Sequence, residues 1–186
     1  MPSVITVAAA TMPVSTADAK LHLRVDSADE DALIARLVSA ATDYVQADLG
    51  QQLVTATRRL KMDRWPTGTY YELDYPPLVT VTSITYVDTA GDTQTWSSSY
   101  YDVDVDYKPG RVRLAYNQSW PNLRSTPNAI TTTYTCGYGA DSAVPENIVS
   151  AILLLVGGWF ENRIPHGMSD KTVDALLSTA SHGRYP

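Results

Sequence analysis

The chain has 186 residues, 44% hydrophobic and 18% charged, with a formal net charge of -6. That length buries one good core and excludes two ordinary independent domains, though it leaves room for a small inserted module. The negative balance excludes a grip on nucleic acid through the overall field, because displacing counterions needs a positive surface.

The amino terminus, MPSVITVAAATMPVS, has no basic residue ahead of its apolar ones, so no secretory signal is expected. Ser15, followed three residues later by Asp18, suits a helix start and predicts a short helix over 17–23. Asp29, Glu30 and Asp31 then suit the positive end of a second helix. Leu33, Ile34, Leu37, Val38, Ala41, Val45 and Leu49 recur at helical spacing, and Gly50 stands where such a helix is capped.

After Gly50 the apolar period falls from about 3.6 to 2, and Thr, Val and Tyr become frequent. The spacing predicts strands over 53–63, 70–74, 79–87, 93–96, 101–106, 111–114 and 130–136. Pro66 to Gly68, Pro76-Pro77, Ala90-Gly91-Asp92 and Lys108-Pro109-Gly110 supply the turns. The middle of the chain therefore reads as an antiparallel meander or small sandwich. Its densest basic cluster, Arg58, Arg59, Lys61 and Arg64, reads as a solvated strand edge protected by charge. Cys136, the single cysteine, leaves no internal disulfide or zinc thiolate cluster and suits a small buried position at a strand end.

Pro145 opens a third helix, in which Ile148, Ile152, Leu155, Val156 and Trp159 form a broad apolar stripe widened by Leu153 and Phe160. Gly157 and Gly158 each cost about 1 kcal/mol there relative to Ala, which points to close helix contact or a kink. The longest apolar run, 151–160, is about half of the roughly 20 residues that span a bilayer. A soluble protein made in a bacterial-type cytoplasm, with no membrane partner, is the expectation. After the break at Ile164-Pro165-His166-Gly167, residues 170–181 place Val173, Leu176, Leu177 and Ala180 on one face of a short amphipathic helix. A helix this short is marginal without tertiary support, so the stripe needs a partner in its own core or on another chain.

Chemistry is sparse. There is no Gly-x-Ser-x-Gly elbow, P-loop or His-Glu-x-x-His, and Gly137-Tyr138-Gly139 alone is not a dinucleotide fingerprint. His22, His166 and His182 are scattered, so neither an enzyme nor a cofactor is expected. Asp102, Asp104 and Asp106 resemble the start of a calcium loop, but Tyr107 and Arg113 stand where that loop requires Gly and Glu. A solvated strand face paired with Lys108, Arg111 or Arg113 explains them better. Twelve tyrosines and four tryptophans against one phenylalanine favour half-wet surfaces. Tyr70-Tyr71, Tyr100-Tyr101 and Trp120-Pro121 are candidates either for contact surfaces or for the outer face of a small sheet.

Three stretches carry a resemblance to a known family: VSTADAKLHLRVDSADEDALIARLVSAATDYVQADLG at the start, RWPTG with YPPLVTVTSITYVDTAGDTQTW in the middle, and CGYGADSAVPENIVSAILLLVGGWFENR near the end. Together they resemble the head-tail connectors of long-tailed bacteriophages, also called portal adaptors or head completion proteins, and the related gene transfer agent adaptors. The likeness covers residues 14–163. It implies an α+β fold, in which a helical bundle from 1–50 and 140–186 carries an inserted antiparallel β module at 51–139 and a carboxy-terminal amphipathic tail helix.

It also implies a virion structural protein at the neck, assembled in the host cytoplasm. Such a protein forms a ring of about twelve copies with itself under the portal and meets a stopper or tail terminator on the other side. DNA passes through its channel without specific binding, and an acidic wall lets the duplex slide. The resemblance makes Val173, Leu176 and Leu177, with Arg184 and Tyr185 after them, the expected portal contacts, their stripe uncovered until docking. The stripe of Ile148, Ile152, Leu155, Val156 and Trp159 becomes the core or ring helix. A tail completion or terminator subunit is the alternative within structural proteins. An enzyme or small-ligand module would need a deep pocket with convergent charges.

Overall fold

The computed structural model describes residues 3–162 and 171–180. In chain order they form β1 (Val4–Val7), α1 (Thr16–Leu23), α2 (Asp31–Leu49), β2 (Ala56–Met62), β3 (Tyr70–Glu72), β4 (Leu78–Val87), β5 (Thr93–Thr95), β6 (Tyr101–Asp104), β7 (Arg111–Leu114), β8 (Ile130–Cys136), α3 (Glu146–Asn162) and α4 (Lys171–Ala180). Helices and antiparallel sheets are thus combined in one chain. They divide into two compact units, one made of β1 with Thr55–Gly137 and the other of Ala10–Val54 with α3 and α4.

The β unit has a five-stranded sheet in the order β1-β2-β8-β4-β5 and a three-stranded sheet in the order β3-β7-β6. Period-2 burial makes the first sheet one-sided. Ile130, Thr132, Tyr134 and Cys136 of β8 turn inward, as do Ala56, Arg58 and Leu60 of β2. Leu60, Ile84, Ile130 and Tyr134 share a core with Tyr71, Val112 and Tyr101 of the second sheet. A hydrogen bond of 2.8 Å between the Tyr71 and Thr132 hydroxyls pins the two layers together.

Tryptophan fills one end of this core. Trp65 stacks on Trp120 at 4.7 Å between ring centroids, and Trp96 lies 5.2 Å from Trp120 and 5.0 Å from Tyr101. The polar tips are satisfied at the margin, where the Trp65 indole donates to the Pro121 carbonyl and the Trp120 indole to that of Gly68. Aromatic pairs of this geometry add about 0.5–1.5 kcal/mol each beyond their buried area. Tyr71 and Tyr101, and Trp120 in part, are therefore core residues, while Tyr70 and Tyr100 remain exposed. Both readings of the tyrosine pairs are therefore corrected for Tyr71 and Tyr101, which the strand period turns inward.

In the helical unit, Ser15 caps α1 by accepting from the Asp18 amide, and Gly50 ends α2 in the left-handed region at φ 62°. The buried stripe of α2 is Ile34, Val38, Ala41, Thr42 and Val45; that of α3 includes Ile148, Ala151, Ile152, Leu155 and Val156. α2 packs on α3 and α1 touches both. Burying each large aliphatic side chain contributes about 1.5–3 kcal/mol. Of the apolar stripe read from sequence, Ile148, Ile152, Leu155 and Val156 are buried, and Trp159 sits at the margin, edge-on to Tyr44 at 6.3 Å.

Two expectations need correction. The residues of β1, grouped by sequence with the helices, form a sheet strand against β2. Consequently β2 is an interior strand, and its basic cluster is no solvated edge. Arg58 is buried, its guanidinium 3.5 Å from the Tyr75 ring centroid and bonded to the Ser3 hydroxyl.

The two helical glycines differ. A Cβ on Gly157 would stand 3.6 Å from the His22 ring, in ordinary contact, whereas one on Gly158 would meet nothing within 4 Å. Close packing within the described chain therefore does not require Gly158. Gly158→Ala is expected to raise stability by about 1 kcal/mol in urea denaturation of the isolated chain; a loss of stability would show an unrecognised contact.

Burial pushes the Cys136 thiol up to about 12, with Arg58 opposing weakly. Burial also raises the Tyr71 and Tyr134 hydroxyls. The folded state then binds protons more tightly than the unfolded state, so this contribution is complete below the ordinary thiol range and is lost as pH climbs through it. Thermal unfolding is expected to shift to lower temperature progressively from about pH 9 to 12, and Cys136 is expected to resist thiol reagents at pH 8 until the chain unfolds.

Candidate assembly surfaces

What positions α4 is a set of polar contacts around two buried glutamines. Immediately after the Gly50 cap, the Gln51 side chain donates to the Ala180 carbonyl at 3.0 Å and accepts from the Tyr138 hydroxyl at 2.7 Å. Gln52 donates to the Gln46 side chain and to the Val54 carbonyl. The Leu53 carbonyl accepts from the Tyr138 amide at 2.9 Å, so the two segments of the unit are joined beside the end of α4. From the start of α3, the Asn147 amide donates to the Leu176 carbonyl at 3.3 Å and to the Thr179 hydroxyl at 2.9 Å.

Val173, Leu177 and Ala180 are each about 95% or more buried against this unit, and Leu176 is partly covered. The stripe expected to await a portal is covered by the chain's own helices. The physical reason is length: a ten-residue helix is stable here because α3 supplies its apolar partner. Asp174, Ala175, Ser178 and Thr179 face outward. Arg184 and Tyr185 lie outside the described residues.

Exposed apolar side chains mark other surfaces. On the helical unit they include Met12, Leu154, Leu21, which is 78% exposed, and a flank of α2 where Leu33 and Tyr44 are exposed beside the half-covered Leu37. On the β unit, all four residues of β1 are exposed, including Val4, Ile5 and Val7. Sequence reading missed this strand because a run of four residues is too short to give a period to count.

The acidic triplet separates by role. Asp104 pairs with Arg111 at 2.9 Å, and Arg111 lies 4.0 Å from the Tyr107 ring centroid. The Tyr107 amide, with help from Arg111, holds the Asp104 carboxyl below its ordinary range. Asp102 stands opposite Arg113 in the β6-β7 register. This is the charge pairing across the turn expected from sequence. Among the described residues no group of three His, Cys, Asp or Glu side chains could hold a metal ion, and no helix is long and apolar enough to cross a membrane. The surface hollows beside Lys20, Leu21 and Arg24 and beside Asp63, Arg64, Ser125 and Thr126 are open to solvent.

The described residues thus offer exposed apolar edges and a buried polar frame. The family model for head completion proteins matches residues 14–174, and the chain belongs to that family. Three solved structures share the fold across 100% of this chain and 98% of theirs. One is in the neck of an empty gene transfer agent particle computed with C6 symmetry, with a TM-score of 0.85 and 23% identity. Another is in the virion of a native gene transfer agent particle, at 0.83 and 22%, and the third in the neck of a native particle computed with C12 symmetry, at 0.83 and 21%. No curated protein matches the chain significantly.

Gln51→Ala is expected to remove the hydrogen bonds that the Gln51 side chain makes with the Tyr138 hydroxyl and the Ala180 carbonyl, at a cost of about 1–3 kcal/mol. Hydrogen exchange should speed up in α4 while α2 and the middle of α3 keep their protection. Uniform loss of protection through all the helices would show that the glutamine holds the whole unit.

Proposed function

We propose that the chain is a structural subunit of the particle neck, a head-tail connector that forms a ring under the portal and extends the DNA channel toward the tail. The observation that carries this reading is the family match over most of the chain. The likeness in fold to chains of gene transfer agent necks supports it. In this reading the protein is a helical bundle with an inserted β module, and it performs no catalysis. Its partners are other copies of itself, the portal ring and a downstream stopper or tail terminator. A ring of about twelve is supported by the C12 symmetry of the neck in which one similar chain occurs.

The portal contact is assigned to the carboxy-terminal end. Because Val173 and Leu177 are buried, their part is to fix where the chain leaves the bundle, with Leu176 at the margin. The contacts fall to the outward face of α4 and to Arg184 and Tyr185 beyond it. Ile148, Ile152, Leu155 and Val156 form the subunit core, and Trp159 at its margin is the member of that stripe able to meet a neighbour. DNA runs through the channel unbound, since a net charge of -6 offers no dense cationic surface.

The test is the mass of the full chain, alone and mixed with its cognate portal, by native mass spectrometry. A portal-dependent gain of about twelve copies is expected. A chain ending at Ala180 keeps α4 and is expected to lose that gain. Association with a tail tube and not with a portal would favour the tail-completion alternative. Retention of duplex DNA tighter than about 10⁻⁴ M at physiological salt would overturn the sliding-channel part.

A further inference from the structure

The five-stranded sheet is open, with β1 at one end and β5 at the other. β1 carries neither the charge nor the proline that guards many exposed edges, its protection being only its short length and one irregularity, and Val4, Ile5 and Val7 are 48–61% exposed. β5 is equally uncharged, and all three of its residues are exposed. The other open stretch, the first part of β4, is broken by register shifts at Leu78/Thr80 and Val81/Ser83, which make it a poor template. β1 has a shift between Ile5 and Val7, so its usable edge is about as short as that of β5.

The two ends also differ in charge. Beside β1, the next strand carries Arg59, opposite Val4 in register, and Lys61. The β4-β5 turn carries Asp88 and Asp92, with Arg124 close by at Gly91. Asp88 accepts the amides of Ala90, Gly91 and Asp92, and its carboxyl is held low, first by Gln94. It therefore stays ionised near neutral pH.

We infer that the β1 edge of one copy docks on the β5 edge of a second copy, joining the β units head to tail. Such a contact uses two different surfaces of one chain, so it is heterologous and can close into a ring. The occupant is a second copy because the complementary edge, matched in length and opposite in charge, lies at the far end of the same sheet. In choosing a second copy the inference rests on the neck-subunit reading.

Sedimentation equilibrium of the full chain tests this without other neck proteins. The wild-type chain is expected to associate with rising concentration, and Ile5→Lys and Val7→Lys to weaken association at least tenfold. Tyr116→Lys, at a 97% exposed site in neither edge strand, should change nothing. Lys61→Glu or Asp92→Lys alone should weaken association, and the two together should restore it. Far-UV circular dichroism and thermal midpoints establish that each variant folds. A wild-type chain that stays monomeric up to about 1 mM, associates only with an added neck protein, or is indifferent to the edge lysines overturns the inference. If that same chain still binds portal, the neck reading stands and only the edge contact falls. Edge-dependent self-association without any portal binding has the opposite meaning.

Discussion

The arrangement of the helical unit depends on satisfying the buried polar groups at the end of α2. Gln51 and Gln52 are 2% and 3% exposed, and a buried amide without partners costs about 1–3 kcal/mol. Their side chains are answered by Tyr138, Gln46, Val54 and Ala180, groups drawn from four separate parts of the unit. Satisfying those amides therefore specifies where the chain departs, where it returns and where α4 ends. Apolar packing of α2 on α3 supplies more free energy, but it tolerates sliding along the helix axes. The directional hydrogen bonds do not.

A comparable constraint acts in the β unit. β2 and β8 are neighbours in full register from Ala56↔Cys136 to Met62↔Ile130, so the segment begins and ends on adjacent strands. A module whose two ends lie side by side can be inserted into a host fold without stretching it. Between those ends, the core is organised by large rings with polar tips at the rim. The balance of tyrosine and tryptophan over phenylalanine reflects a thin core in which most aromatic groups reach water at one end.

Much of this was legible from residue order. Helical spacing from Leu33 to Leu49, the Gly50 cap and the threonine-rich alternation of β8 are each local signals, and the corresponding elements lie where those signals place them. What escaped was decided by tertiary partners. Gln51-Gln52 looks like a polar turn in sequence, because only the fold shows that Tyr138 and Ala180 come to meet it. Arg58 looks like a surface charge until Ser3 and Tyr75 are seen to cover it. The assembly surfaces were the least legible: a stripe such as Val173, Leu177 and Ala180 has the same spacing whether it meets its own bundle or another protein.

That ambiguity bears on how the chain would meet its neighbours. An uncovered stripe would order on docking and give up part of the contact energy to ordering. Here the stripe is already buried, so α4 is held before any partner arrives and the ordering cost falls within folding of the subunit. What remains for recognition is the outer face of α4, the short strand edges and the marginal aromatic pair of Tyr44 and Trp159. The edges of β1 and β5 are only four and three residues long, against the roughly 20–30 residues a side of a stable pairwise interface. Small surfaces of this kind hold when many act together in a closed ring, where no subunit leaves without breaking contacts on both sides. A tail helix packed before docking, together with short strand edges, suits assembly through several contacts made at once.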